Sequence, residues 1–380
     1  SAILADYWST QWPIPHCLIT TRPRQAMQLV NDCRDDPCAE WKPSGTICGP
    51  VWTTNEDAAP CIGKQNELVA IHARLDLARN KKDVLSKEYQ EYAMEFVDLI
   101  AQPLEPWSLE QVIESQDGPL QKARNEKARH WVPLRDPVLK VKAMLKKEPT
   151  ANDGPTRNIS TLSAEQNLRI GRYTLPMSKH LKTTTHWYGP GKSPVEIAQR
   201  IVDLAQPAPN LLAADISKMD ACKNIGVAVH LIESLYIRCF GPSNEEEVRE
   251  LIQAEIMSTA VTATGMAYAS VGSQLSGSST TTNHNTVTNA WLDYCSHRKS
   301  GLSPEEAYIK LGIFVGDDSV SNTSLHVETV GDDVGYKIVA EVIPRGHEIP
   351  FLSRWFPRAW TGDLGSYQDC VRLLSKAHIS

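Results

Sequence analysis

Two short apolar runs that each deliver an aspartate constrain this chain most. Leu211 to Ile216 is apolar and carries Asp215 at its end, and Ile313-Phe314-Val315 leads through Gly316 into Asp317 and Asp318. Runs this short and this apolar suit buried strands, because a helix of comparable burial needs ten residues or more. Gly316 permits a tight turn, with the return strand starting at Ser319-Val320. Between the two runs the pattern is mainly helical from about Ile225 to Ile256, interrupted at Gly241-Pro242.

Helix starts are legible elsewhere. Ser108 with Gln111, Ser193 with Glu196 and Ser303 with Glu306 are capping-box pairs, the last two with proline at the first helical position. The second of these helices should run from Pro194 to about Leu204, ahead of Pro207 and Pro209. The third should stop near Gly312. Asn66 to Leu99 reads as helical, broken by a charged turn at Asn80 to Asp83. The first 65 residues, rich in Pro, Trp and Cys, read as irregular.

No run of about 18 apolar residues occurs, so nothing in the sequence is expected to span a bilayer. Residues 1–20 lack a signal-peptide layout, and the initial Ser1 suggests a fragment or processed product, so that any membrane anchor could lie outside it. Nine cysteines, an odd number, favour reduced intracellular thiols. Cys33, Cys38, Cys48 and Cys61 do not form a CxxC pattern and read as small buried hydrophobes rather than zinc ligands. The net charge of −6 is unexpected for a polyanion binder, but bases gather between Lys122 and Lys147 while acids gather elsewhere, as at Glu245, Glu246 and Glu247. A basic stripe with acidity at a distance is the pattern a nucleic-acid channel would show.

Three elements carry the chemistry: Asp215 with Asp220; Ser276-Gly277, Thr281 and Asn285; and Gly316-Asp317-Asp318. If the two apolar strands are neighbours, three carboxylates converge. Converging carboxylates repel one another unless cations neutralise them, and hard oxygen donors suit Mg²⁺ or Mn²⁺. Two such ions could activate a hydroxyl and stabilise a leaving pyrophosphate. Thr281 and Asn285, four residues apart, share one helix face, although a stretch so rich in Ser, Thr and Asn is locally unfavourable for a helix. Gly331-Asp332-Asp333 repeats the last element without the apolar run before it and reads as a surface turn.

The D-x4-D, SGxxxTxxxN and GDD patterns together resemble motifs A, B and C of the RNA-dependent RNA polymerases of positive-strand RNA viruses. Tyr188 to Ala198 together with Asp215 to Asp220 is most similar to nodavirus replicases. The resemblance implies an α+β right-hand fold: helical fingers, an antiparallel-sheet palm with a ferredoxin-like, RRM-type core, and a thumb mostly absent. Its implied divisions are 1–205 for fingers, 206–224 for the palm with motif A, 225–270 for an insertion, 271–357 for the palm with motifs B to E, and 358–380 for the start of a thumb. It implies that Asp215, Asp317 and Asp318 bind two Mg²⁺ or Mn²⁺ ions, and that Asp220 and Asn285, with Thr281, select the ribose 2′-hydroxyl. Ser276 and Gly277 would form a mobile template-steering loop.

Arg157, with Lys146 or Lys147, is similar to motif F, which holds the incoming triphosphate. Phe351-Leu352-Ser353-Arg354 is similar to motif E, the primer grip. Lys337 is the candidate general acid of motif D, a surface lysine being the competing reading. The implied partners are RNA template, nascent RNA, ribonucleoside triphosphates and other replicase regions or copies, with membrane reached only through regions outside this chain. The implied location is the host cytoplasm, in membrane-associated replication complexes on the mitochondrial outer membrane. A reverse transcriptase is disfavoured because Asp220 stands where a bulky aromatic would exclude the 2′-hydroxyl. A non-catalytic RNA-binding scaffold is disfavoured because every aspartate of the triad is present. A palm-fold cyclase has no use for the second element.

Overall fold

Asn210–Ile216 is an inner strand of a four-stranded antiparallel sheet whose order is Ile338–Pro344, Asn210–Ile216, Asp318–Asn322, Ile313–Val315. The computed structural model describes residues 63–133, 140–146, 156–270, 272–322, 326–370 and 373, together with the short paired strands Arg24–Gln25 and Thr46–Ile47. The four cysteines considered for zinc, Lys147 and nearly all of the N-terminal stretch read as irregular lie outside these residues. Among the described residues Cys222, Cys239 and Cys295 are buried free thiols, and no helix is long and apolar enough to cross a membrane.

In chain order the sheet is built as strand, helix, strand, strand, helix, strand, so that the fourth strand lies beside the first and the third beside the second. Its two helices, Thr281–Lys299 and Val327–Val334, pack on each other, the first also against Ile313–Val315 and the second against Ile338–Pro344. Ile338–Pro344, at the free edge of the sheet, exposes Val339 and Val342. At the opposite edge the backbone of Trp187 and Gly189 hydrogen-bonds to Phe314. A Cβ on Gly189 would lie 2.5 Å from the Val315 side chain, so only glycine fits this approach.

Helix Thr281–Lys299 is the centre of the molecule. Fourteen of its nineteen residues are buried, polar ones included, so its many Ser, Thr and Asn groups must find partners inside the protein. They do: Asn283 donates to Ser178 and Tyr188, and His284 pairs with the Tyr236 hydroxyl. The apolar side of the same helix joins the main core, where Phe96 packs between Trp187 and Tyr294 with ring centroids 5.8 and 5.2 Å away.

A second four-stranded sheet has the order Asn158–Thr161, Lys140–Leu145, Thr259–Val261, Ala267–Ala269. Residues 259–269, read as an insertion, therefore complete a sheet begun more than a hundred residues earlier. Beside it, helix Ala164–Thr184 contains Pro176; the Arg172 carbonyl that Pro176 cannot engage accepts the Trp107 N–H at 2.8 Å.

The capping boxes at Ser108, Ser193 and Ser303 form as expected. One expectation fails. Gly331-Asp332-Asp333 is not a surface turn but part of helix Val327–Val334. Gly331 is buried where a Cβ would meet the Tyr336 carbonyl at 2.7 Å, so its glycine serves helix-to-strand packing. Asp333 is committed to the Tyr89 hydroxyl and the Lys299 ammonium.

Candidate active site

The end of strand Asn210–Ile216 meets the turn of the Ile313–Asn322 hairpin. Asp215 lies directly across from Asp318, and the Ile216 N–H donates to the Asp317 carbonyl at 3.3 Å. Cross-strand partners project on the same face, so the register places residues 215 and 318 side by side with 317 at the tip. Gly316 makes the turn with a φ of +63° and open space around it, so backbone freedom and not room demands glycine here. Burial, and then the charge of Asp317, push the Asp215 carboxyl above its ordinary range. No salt bridge offsets Asp215 or Asp317 among the described residues.

The described residues contain no group of three His, Cys, Asp or Glu side chains gathered tightly enough to be a ready-made metal cage. The two acid-bearing strands are neighbours in the backbone register, without the three carboxylates gathering into such a cage. All-oxygen donors brought to these neighbouring strand ends are nevertheless the donor chemistry that suits a hard divalent cation.

Helix Thr281–Lys299 holds this junction in place. Asn285 Nδ2 donates to Asp220 Oδ1 at 2.7 Å. One residue on, Thr286 Oγ accepts the Gly316 N–H at 2.9 Å; one turn on, Asn289 Nδ2 donates to the Gly316 and Asp317 carbonyls at 3.1 and 2.9 Å. Thr286 and Asn289 were missed by the sequence reading. Asn289, one turn after Asn285, continues its face, whereas Thr286 is only one residue on, and only the fold shows what either meets. Thr281, one turn before Asn285 on the same helix, donates its hydroxyl to the Leu275 and Ser278 carbonyls.

Ser276 and Gly277 dock on strand Asn158–Thr161. Gly277 N–H donates to the Ser160 carbonyl at 2.9 Å, and Ser276 Oγ accepts the Ser160 N–H at 3.3 Å. A Cβ on Gly277 would lie 2.5 Å from the Thr161 methyl carbon. Gly277→Ala is therefore expected to shift the loop and lower activity severalfold with a modest loss of stability, read by steady-state kinetics beside a urea titration. Arg157 precedes this strand, and its carbonyl accepts the Lys146 N–H at 2.7 Å. Burial raises the Asp220 carboxyl, the Asn285 hydrogen bond opposes this, and the Arg157 charge is among the smaller stabilising influences. Arg157 and Asp220 are thus near enough for their charges to interact.

Lys337 is exposed beside the same strand end, where its carbonyl accepts the Ser217 N–H at 2.9 Å. Phe351, Leu352, Ser353 and Arg354 form a hairpin tip. Leu352 and Ser353 both have positive φ, +51° and +58°, an uncommon pairing for non-glycine residues that surrounding structure must impose. Phe351 is buried beneath the tip, the Asp369 N–H binds the Ser353 carbonyl, and Arg354 donates to Ser366. The basic stretch divides between helix Pro119–Arg129 and strand Lys140–Leu145, with Arg129 engaged by Glu110 and Glu126.

Residues 123–358 match the family model of viral RNA-dependent RNA polymerases, more than half of the chain. This chain belongs to that polymerase family. It is 30% identical over 350 residues to the RNA-directed RNA polymerase of Pariacoto virus, covering 88% of this chain and 36% of that protein. It is likewise 30% identical over 362 residues to that of Greasy grouper nervous necrosis virus, covering 92% of this chain and 36% of the relative. The match to the RNA-directed RNA polymerase of Macrobrachium rosenbergii nodavirus is 26% identical and covers 98% of this chain. The chain thus spans about a third of the length of these relatives. Among solved structures, the RNA-dependent RNA polymerase of a human picobirnavirus superposes with a TM-score of 0.68 at 14% identity, covering 98% of this chain and 71% of that one. Its insertion-loop deletion mutant gives 0.69 at 13% identity, covering 84% and 69%. The fold is that of the viral polymerase family, with the strand–helix–strand–strand–helix–strand sheet holding all three diagnostic patterns.

Proposed function

We propose that this chain is the catalytic core of an RNA-dependent RNA polymerase, adding ribonucleotides to an RNA 3′-hydroxyl as an RNA template directs, for viral genome replication and transcription. The observation that carries the reading is the clamped junction: Asp215 opposite Asp318, Asp317 at the tip, and one helix fixing both the turn and Asp220. In this reading the 210–216, 313–322 and 338–344 strands are a ferredoxin-like palm, residues 140–161 and 259–269 belong to fingers, and residues 349–356 grip the primer.

Asp215, Asp317 and Asp318 would hold two Mg²⁺ or Mn²⁺ ions, which when bound supply the positive charge that activates the 3′-hydroxyl and neutralises the departing pyrophosphate. Every other role falls to the chain itself. Arg157 and Lys146, on neighbouring backbone, draw the triphosphate into the cleft. The Asp220–Asn285 pair meets the 2′-hydroxyl. Lys337, exposed at the strand end, is placed to donate a proton to the leaving group. The carboxylates of Asp215 and Asp317, offset by no salt bridge among the described residues, and the matched family support this assignment. Partners follow the same chemistry: template and nascent RNA, ribonucleoside triphosphates, and other regions or copies of a longer replicase. Those other regions would bring it to membrane-associated complexes in the host cytoplasm, at the mitochondrial outer membrane.

The purified chain is expected to extend RNA on an RNA template with ribonucleotides, and to stop when divalent cations are chelated. Extension that is equally efficient with deoxyribonucleotides on DNA, or indifferent to chelation, would sink the reading. Asn285→Ala should raise deoxyribonucleotide use relative to ribonucleotide by about tenfold, because a site that hydrogen-bonds a hydroxyl discriminates against its absence. An unchanged ratio removes Asn285 from the sugar check.

A further inference from the structure

Behind the Ser276–Gly277 loop lies a buried charge network that none of the three diagnostic patterns includes. Glu255, in the last turn of helix Glu245–Ile256, is 1% exposed, and Lys223, three residues after Asp220, is 7% exposed. Both charges sit where water cannot solvate them, an arrangement that costs free energy unless each is compensated. The compensation runs through the loop. Thr280 Oγ donates to Glu255 Oε2 at 2.7 Å, and Ser278 Oγ donates to Oε1. Gln274 Nε2 donates to Thr280 Oγ at 2.8 Å, while Gln274 Oε1 accepts from Lys223 Nζ at 2.6 Å. The Gln274 N–H then donates to the Asp220 carbonyl at 2.6 Å. Burial pushes the Glu255 carboxyl up and the Lys223 ammonium down to about 8, each opposed by the other's charge.

Apolar side chains of similar volume would fill this space at lower cost, so what the network adds is a fixed geometry. Every link of it ends on a segment of the cleft: the loop carrying Ser276 and Gly277, or the backbone of Asp220, whose carboxylate Asn285 holds. We propose that Glu255 is a positioning residue for nucleotide selection, tying the 274–280 loop and, through Gln274, the Asp220 segment into the geometry that discriminates the sugar. It touches no substrate and acts only through Thr280, Ser278 and Gln274. The inference rests on the polymerase reading above.

The test uses the whole chain with Thr280→Val, Glu255→Gln and the double variant Lys223→Gln/Glu255→Gln. Thr280→Val removes one of the loop's two hydroxyl ties to Glu255 and leaves both charges in place. The double variant removes both charges and so relieves the cost of an unpaired Lys223. Template-directed incorporation of ribo- and 2′-deoxyribonucleotides is measured with kcat and KM separated, beside the thermal midpoint. Thr280→Val and the double variant are expected to raise the ribonucleotide KM and to lower sugar discrimination by about tenfold. The double variant should recover the thermal midpoint lost by Glu255→Gln without recovering discrimination. If discrimination and KM in Thr280→Val and the double variant match wild type, or recover together with stability, the network is structural only and the proposal falls. A wild-type chain that incorporates nothing overturns the polymerase reading, and this inference with it. An active wild type with indifferent variants overturns this inference alone.

Discussion

Asp317→Ala abolishes template-directed synthesis, by on the order of a thousandfold or more, while leaving the unfolding transition essentially where it was. Removing one preorganised group that stabilises developing charge already costs about 10²–10³ in rate, and Asp317 is the tip residue of a junction built around such charge. Folding should be indifferent because the Asp317 side chain is exposed and it is the backbone carbonyl that holds the turn. Alanine keeps that carbonyl. It also removes the charge that pushes up the Asp215 carboxyl, so a small gain in stability at neutral pH is consistent with the same physics. Extension assays over a titration of Mg²⁺, with urea unfolding of the same samples, check both halves. Near-normal extension by Asp317→Ala would refute the assignment of this residue to the reacting centre.

Asn289→Ala produces a different signature: it loses stability and activity together. Its amide is buried and donates to two carbonyls, those of Gly316 and Asp317. Deleting it removes a shared donor from two part-buried carbonyls, a cost of about 1–2 kcal/mol, and frees the turn that carries Asp317. A fall in kcat of about tenfold or more should accompany it, since small displacements of reacting groups are expensive. Asn289→Asp should be worse than alanine, because a carboxylate would face two carbonyl oxygens with no hydrogen to donate. Should Asn289→Asp show wild-type kcat and denaturation midpoint, the clamp has no role in holding the turn.

The contrast between these residues shows what could be read from the sequence. Asp215, Asp317 and Asp318 were legible because their signal is local: an apolar run too short for a helix, ending in acid, with glycine where the chain must reverse. The three capping boxes were legible for the same reason, since each is complete within four residues. Asn285 was legible through spacing alone. Asn289, Thr286 and Glu255 were not, because a polar side chain on a helix says nothing of its partner until another segment is placed against it. Gly331-Asp332-Asp333 misled because a glycine that packs against a distant carbonyl looks, in sequence, like one that turns. The Leu352–Ser353 tip carries none of the Asn-Gly chemistry that marks a left-handed turn, so its conformation is imposed by the strands around it.

The sequence by itself determined where the three capped helices begin and which residues bring acid to the ends of the two apolar strands, because propensity, capping and turn chemistry act over a few neighbouring residues. Tertiary structure alone decided that strand 210–216 lies between 338–344 and 318–322, that a helix full of Ser, Thr and Asn is buried, and that Glu255 and Lys223 meet behind the loop. These depend on which groups, far apart in the chain, satisfy one another once water is excluded, and no local pattern encodes that choice.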